Sequence, residues 1–139
     1  MRDLGLLDTS VIIDLHRIDA DRLPRNFSVS VITMTELAAG PLATRDVSER
    51  ARRQDVLQRI ESLVDPVPFD ISCLRAFGRV VAAAMKNERK RTRARTNDLL
   101  LAATACALNV PLFTRNADDF LDLTSVIDVV SVPHHDEGA

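Results

Sequence analysis

The sequence predicts an α/β domain built on a mostly parallel sheet of about five strands, with helices on both faces. Three observations carry this expectation. Short apolar or β-branched runs alternate with segments of helical periodicity, the order that gives parallel strands joined by crossover helices. The strand-like runs, such as Leu4–Leu7 and Val110–Thr114, are close to continuously apolar, as strands buried on both faces are. Acids recur where a strand would end or a helix begin, the edge at which open α/β sheets gather their ligand sites.

Taken in order, Leu4–Leu7 reads as a buried strand and Ser10–His16 as a short helix. The alternation in FSVSVIT, Phe27–Thr33, predicts a second strand, and TMTELAAG a helix that stops at Gly40-Pro41. Val56, Leu57, Ile60, Leu63 and Val64 share one face of a helix over Ser48–Val64. The two prolines of DPVPF lack backbone donors, so only a short edge strand is expected there. Asp70 suits the cap of a helix over Ile71–Met85. The basic stretch after it either extends that helix or loops out. Asn97–Asn109, apolar nearly all round, predicts a helix buried in the interior, with Asn109 closing it. Val110–Thr114 and Ser125–Val130 are the last expected strands, with a helical turn around Asp118–Leu121 between them. Residues 1–132 form one domain on this reading, followed by a polar tail, 133–139.

At 139 residues such a domain can bury roughly two-thirds of the surface its unfolded chain exposes. No apolar run approaches the ~20 residues needed to span a membrane. Asp3 and Asp8 interrupt what a secretory leader would need, so a cytoplasmic protein is expected. Cys73 and Cys106 lie in apolar helical stretches and read as reduced thiols. His16, His134 and His135 show no zinc-ligand spacing. The net charge of −2 hides one asymmetry: Lys86–Arg95, KNERKRTRAR, sets six basic residues against a single acid. Such a block is either a solvated face or a phosphate-binding strip.

The acids carry the functional signal. Asp8 follows the first strand, Glu36 lies in the helix after the second, Asp98 opens the buried helix, and Asn116, Asp118 and Asp119 follow the LFT strand. Each has a local explanation. Glu36 could complete a capping box with Thr33, Asp98 could complement its helix dipole, and Asp118 suits the first turn of a short helix. Jointly they say more, because in a parallel sheet these positions converge on one edge. Crowded carboxylates repel one another unless a cation neutralises them. With no His or Cys beside them, an all-oxygen set suits Mg²⁺ or Mn²⁺, and such an ion is equipped to assist hydrolysis of a phosphodiester.

LLDTSVIIDL, ITMTELAAG, TNDLLLAATACALNVPLFTRNADDF and the closing VIDVV resemble, in order and spacing, the PIN-domain family, and within it the VapC-type ribonuclease toxins of bacterial toxin–antitoxin pairs. The resemblance implies a three-layer α/β/α fold and a Mg²⁺- or Mn²⁺-dependent endoribonuclease. It matches Asp8, Glu36 and Asp98 to the family's metal-binding acids, with Asp119 at a further acidic position. Asn116 stands where many relatives have Asp. Thr9, Ser10, Thr114 and Asn116 are then expected to orient carboxylates or water. Thr9 and Ser10 also suit the start of the first helix, and Thr96 and Asn97 read as caps. Lys86, Arg89, Lys90, Arg91, Arg93 and Arg95 are expected to hold RNA phosphates, with Arg45, Arg50, Arg52 and Arg53 as further candidates. With no Trp or Tyr, selectivity would come from the shape of a structured RNA. The resemblance further implies a homodimer and a VapB-type antitoxin inserting into the acidic cleft. The competing reading is an inert PIN-like module that binds RNA or protein.

Overall fold

The computed structural model describes residues 3–86 and 93–133. Its sheet consists of β1 (Leu4–Leu7), β2 (Asn26–Val29), β3 (Leu112–Thr114) and β4 (Val129–Ser131), in the order β2-β1-β3-β4. All three pairings are parallel. The proline-bearing DPVPF segment contributes a single parallel bridge, Val67 to Ser30, rather than a strand. Together with the four strands it makes up the expected sheet.

The helices are α1 (Thr9–Ile12), α2 (Val31–Ala39), α3 (Val47–Leu63), α4 (Ile71–Met85) and α5 (Arg93–Leu108). Successive strand residues divide between the two faces, as a two-residue period requires. Leu6 and Leu112 pack with α4 and α5 through Ala76, Val80, Leu99 and Ala102. Leu7 and Phe113 pack with α1, α2 and α3 through Val11, Leu37, Leu57 and Ile60. The result is the three-layer α/β/α arrangement. Among the described residues no helix is long and apolar enough to cross a membrane.

Four elements depart most from the expected bounds. The second strand stops at Val29 because the Ser30 hydroxyl accepts from Ile32 N at 3.0 Å and caps α2 there. The β-branched residues Val31, Ile32 and Thr33 are therefore helical, packing having overridden their strand preference. The helix expected from Asn97 begins four residues earlier, at Arg93. The last strand is Val129–Ser131 rather than Ser125–Val130. The first helix ends at Ile12, and Leu15–Arg17 form a separate 3₁₀ turn. Other expectations match: Asp70 caps α4 through Cys73 N at 3.1 Å, and Asn109 takes a left-handed φ of 55° just past α5. Cys73 and Cys106 are free thiols.

Gly5 marks a close approach in the sheet. A Cβ there would lie 2.5 Å from the Phe113 ring and 3.0 Å from Pro24, and Phe113 is itself buried. Gly5→Ala is therefore expected to destabilise the fold by about 1–3 kcal/mol. A urea midpoint equal to that of the parent protein would show that the ring can step aside.

Candidate active site

The parallel register sets Leu7 level with both Val29 and Phe113. The residues that follow, Asp8, Ser30 and Thr114, thus leave the same edge of the sheet. Asp8 is 6% exposed and nearly saturated with donors. Its Oδ1 accepts from Thr9 N at 2.8 Å, which makes it the N-cap of α1. Its Oδ2 accepts from Ser10 Oγ at 2.8 Å and Thr114 Oγ1 at 2.7 Å. Those hydroxyls are oriented in turn, since Ser10 Oγ accepts from Arg115 N and Thr114 Oγ1 from Asn116 N, both at 3.0 Å. A cap and a candidate ligand are one residue here.

Glu36 is not the end of a capping box. Because α2 starts at Val31, Thr33 and Glu36 lie inside the helix, one turn apart on one face. Thr9 Oγ1 donates to Glu36 Oε1 at 2.8 Å and lies 3.2 Å from Thr33 Oγ1. Burial pushes the Glu36 carboxyl up, and nearby Asp8 adds to the rise, while hydrogen bonds from Thr9 and Asn97 oppose it. Asn97 and Thr33 are contributors that sequence reasoning missed. Asn97 had been expected to cap α5, and only the earlier start of that helix frees its amide for Glu36.

Asp98 consequently sits in the second turn of α5, not at its mouth, and a simple dipole role does not apply. Its carboxyl is pushed up to about 7, first by burial, then by the charges of Asp8 and Asp119 and, more weakly, Glu36, with Arg95 opposing. Asp119 lies in the 3₁₀ segment Ala117–Leu123, and its carbonyl accepts from Arg95 Nη1 at 2.6 Å. Asp118 and Asn116 are exposed. The four acids thus share one electrostatic field. Among the described residues, however, no three His, Cys, Asp or Glu side chains stand as a formed metal-ligand set. The fit to a hard divalent cation is one of donor chemistry: oxygen donors without His or Cys, and a negative field at Asp98 that Arg95 offsets only in part.

The basic residues divide. Arg95, expected to hold phosphate, is buried and ion-paired with Asp122, so that expectation is corrected: its guanidinium ties α5 to the 3₁₀ segment. Lys86 is exposed at the end of α4, and Arg93 opens α5. Arg89, Lys90 and Arg91 lie outside the described residues, as do His134 and His135. Arg50 and Arg53 are structural clamps on the α2–α3 turn, donating to the carbonyls of Pro41 and Thr44 and of Gly40 respectively. Arg45 and Arg52 are exposed.

Comparison with known proteins bears on the family and the fold. The PIN domain family matches residues 5–125. Ribonuclease VapC5 of Mycobacterium tuberculosis is 31% identical over 92% of this chain and 95% of its own length. Ribonuclease VapC of Rickettsia bellii is 30% identical over 96% of this chain and 100% of its own. Among solved structures, the toxin–antitoxin complex VapBC-5 of M. tuberculosis superimposes with a TM-score of 0.79 at 30% identity, covering 94% of this chain and 98% of that one. FitAcB of Neisseria gonorrhoeae shares the fold, with a TM-score of 0.70 at 22% identity over 91% of this chain and 96% of that one. The PIN match over residues 5–125 and the relatives named Ribonuclease VapC, which cover nearly the whole chain, show that it belongs to the PIN domain family, in its VapC branch.

Proposed function

We propose that this protein is an endoribonuclease that depends on Mg²⁺ or Mn²⁺ and acts as the toxin of a toxin–antitoxin pair in the cytoplasm. The observation that carries the reading is the convergence of four acids, where burial first and then the charges of Asp8, Asp119 and Glu36 push the Asp98 carboxyl up to about 7. Its support is the kinship with proteins named Ribonuclease VapC and with VapBC complexes.

Asp8, Asp98 and Glu36 would hold the ion, and Asp119 completes the site or positions the attacking water. When bound, a divalent ion polarises the scissile phosphate and lowers the pKa of its water. The chain's own residues do the rest. Ser10 and Thr114 fix the Asp8 carboxylate, while Thr9 and Asn97 fix Glu36. The attack is in line on phosphorus, leaving a 5′-phosphate and a 3′-hydroxyl without use of the RNA 2′-hydroxyl. A substrate 2′-O-methylated at the cut is accordingly expected to be cleaved; strict dependence on that hydroxyl would overturn this chemistry. Lys86, Arg89, Lys90, Arg91 and Arg93 would anchor a structured RNA. The site would be closed by a VapB-type antitoxin whose arginine pairs with the carboxylates, and the active form would be a homodimer.

The test is to incubate total RNA with antitoxin-free protein and Mg²⁺ or Mn²⁺, then map new 5′ ends by sequencing. Discrete cuts are expected that vanish with EDTA and in Asp8→Asn. Cuts surviving in Asp8→Asn would sink the site assignment. A folded protein that cuts no RNA would favour the inert module.

A further inference from the structure

Arg115 is the first residue past β3, yet its side chain does not turn out to solvent. It is only 5% exposed, and its Nη1 donates to Asp14 Oδ2 at 2.8 Å. Asp14 stands at the N-cap position of the 3₁₀ turn Leu15–Arg17, but its side chain makes no capping bond there. A carboxylate suited to cap that turn is instead given over to an arginine 101 residues later in the chain.

The pair matters because of what α1 is asked to do. This helix has four residues, far below the ~12–15 at which an isolated helix becomes even marginally stable. Its start is fixed to β3, where Asp8 N donates to Phe113 O at 2.9 Å. Val11 and Ile12 are buried, but apolar burial is non-directional and does not set the rotation of the turn. Arg115 supplies direction at both ends. Its backbone N donates to Ser10 Oγ at 3.0 Å, and its guanidinium holds Asp14 just past the last turn. The Ser10 hydroxyl in turn donates to Asp8 Oδ2 at 2.8 Å. The other donor to that oxygen, Thr114 Oγ1, is oriented by Asn116 N. Both donors therefore hang on the segment Thr114–Asn116. Two donors fix the plane of the carboxylate, and a shift of either turns it.

We propose that Arg115 and Asp14 are positioning residues of the metal site: their ion pair sets the orientation of α1 and, through Ser10, that of the Asp8 carboxylate. The proposal rests on the metal-dependent nuclease reading above and deepens it. A charge-assisted bond between buried partners is stronger and more directional than a neutral one, which suits it to hold a single helical turn in place.

The experiment titrates antitoxin-free protein with Mn²⁺, reads the free ion by electron paramagnetic resonance, and measures kcat and KM for RNA cleavage alongside. Parent protein is compared with Asp14→Asn, Arg115→Lys and Arg115→Met, each checked for folding by circular dichroism at the assay temperature. Outer partners of metal ligands are worth about 10–100-fold in affinity, so Asp14→Asn and Arg115→Met are expected to weaken Mn²⁺ binding about tenfold or more. The fall in kcat should be at least as large, with KM for RNA held within about twofold, since neither side chain touches the substrate. Arg115→Lys should recover part of the affinity, because its ammonium still pairs with Asp14 but lacks the planar fork. If Arg115→Met does not fold, Asp14→Asn decides the matter, as the Asp14 side chain is 26% exposed and tolerates the amide. A pair with a purely architectural role would lower Tm and leave the Mn²⁺ affinity of the folded variants unchanged; that result overturns the proposal. The two readings fail separately. Parent protein that binds Mn²⁺ and cuts RNA, with the variants unmoved in both, removes the positioning pair alone. Parent protein that binds Mn²⁺ more tightly than the variants yet cuts nothing removes the nuclease alone. Parent protein that takes up no Mn²⁺ removes both.

Discussion

Replacing Asp98 with asparagine is expected to remove RNA cleavage and, in the same protein, to raise thermal stability in the absence of metal. On the proposed assignment Asp98 is a metal ligand. Outer partners of such ligands are already worth about 10–100-fold, so a loss of about a hundredfold is a lower bound. The stability gain follows from linkage. The Asp98 carboxyl titrates near 7 in the folded protein, because burial and the neighbouring acids resist its ionisation. In an unfolded chain an aspartate titrates at about 3.9. A folded-state value above the unfolded one contributes stability that is complete below pH ~4 and is lost as pH rises through 7. At pH 8 the folded protein therefore carries a charge its surroundings oppose, and asparagine removes it. Asp98 is only partly buried, so solvent screening reduces the gain to about 1–2 kcal/mol, or roughly 3–8 °C in Tm. Melting curves in EDTA at pH 8 and pH 5 check this, with the difference between the two proteins shrinking at the lower pH. Millimolar Mn²⁺ should then raise the Tm of the parent protein and leave the variant unmoved. Equal melting at pH 8, or equal stabilisation of both by Mn²⁺, would show that Asp98 does not sit in an unneutralised site.

How far the site was legible in the sequence follows from the range of the interactions involved. Asp8 was visible because β1 is short, apolar on both sides and ends abruptly in a carboxylate. Its donors Ser10 and Thr114 were expected for their hydroxyls alone, and the parallel register of β1 and β3 brings them together across 104 residues of chain. Glu36 was half legible. The T-x-x-E spacing is real, but the Ser30 cap moves the start of α2 and turns Thr33 and Glu36 from a cap into a helix face. Asn97 was not legible at all. Its role depends on α5 beginning at Arg93, inside a charged stretch without apolar periodicity, and on a neighbour 61 residues earlier in the chain.

Arg95 is where the sequence misled most, and its substitution is expected to have the largest effect on stability. As the last member of a basic run it reads as a phosphate contact. In the fold it is buried, with Asp122 as ion-pair partner and the Asp119 carbonyl bound to Nη1. Burying an ion pair is close to neutral overall, but removing one partner strands the other charge in the interior, at about 3–5 kcal/mol. Arg95→Met should therefore lower the folding constant about a hundredfold or more. Arg95→Lys should recover only part, because one ammonium cannot match a planar fork that reaches both groups. The double variant Arg95→Met/Asp122→Leu removes both charges, so most of the loss should return, a non-additive outcome that urea titration of the parent, Arg95→Met, Asp122→Leu and the double variant can measure. Additive losses would mean that the two side chains are not coupled. A phosphate-binding Arg95 gives the opposite pattern: RNA affinity falls, folding stability stays, and Asp122 makes no difference. Stability and RNA affinity, measured on the same variants, thus decide whether this arginine faces the substrate or holds the segment that carries Asp119.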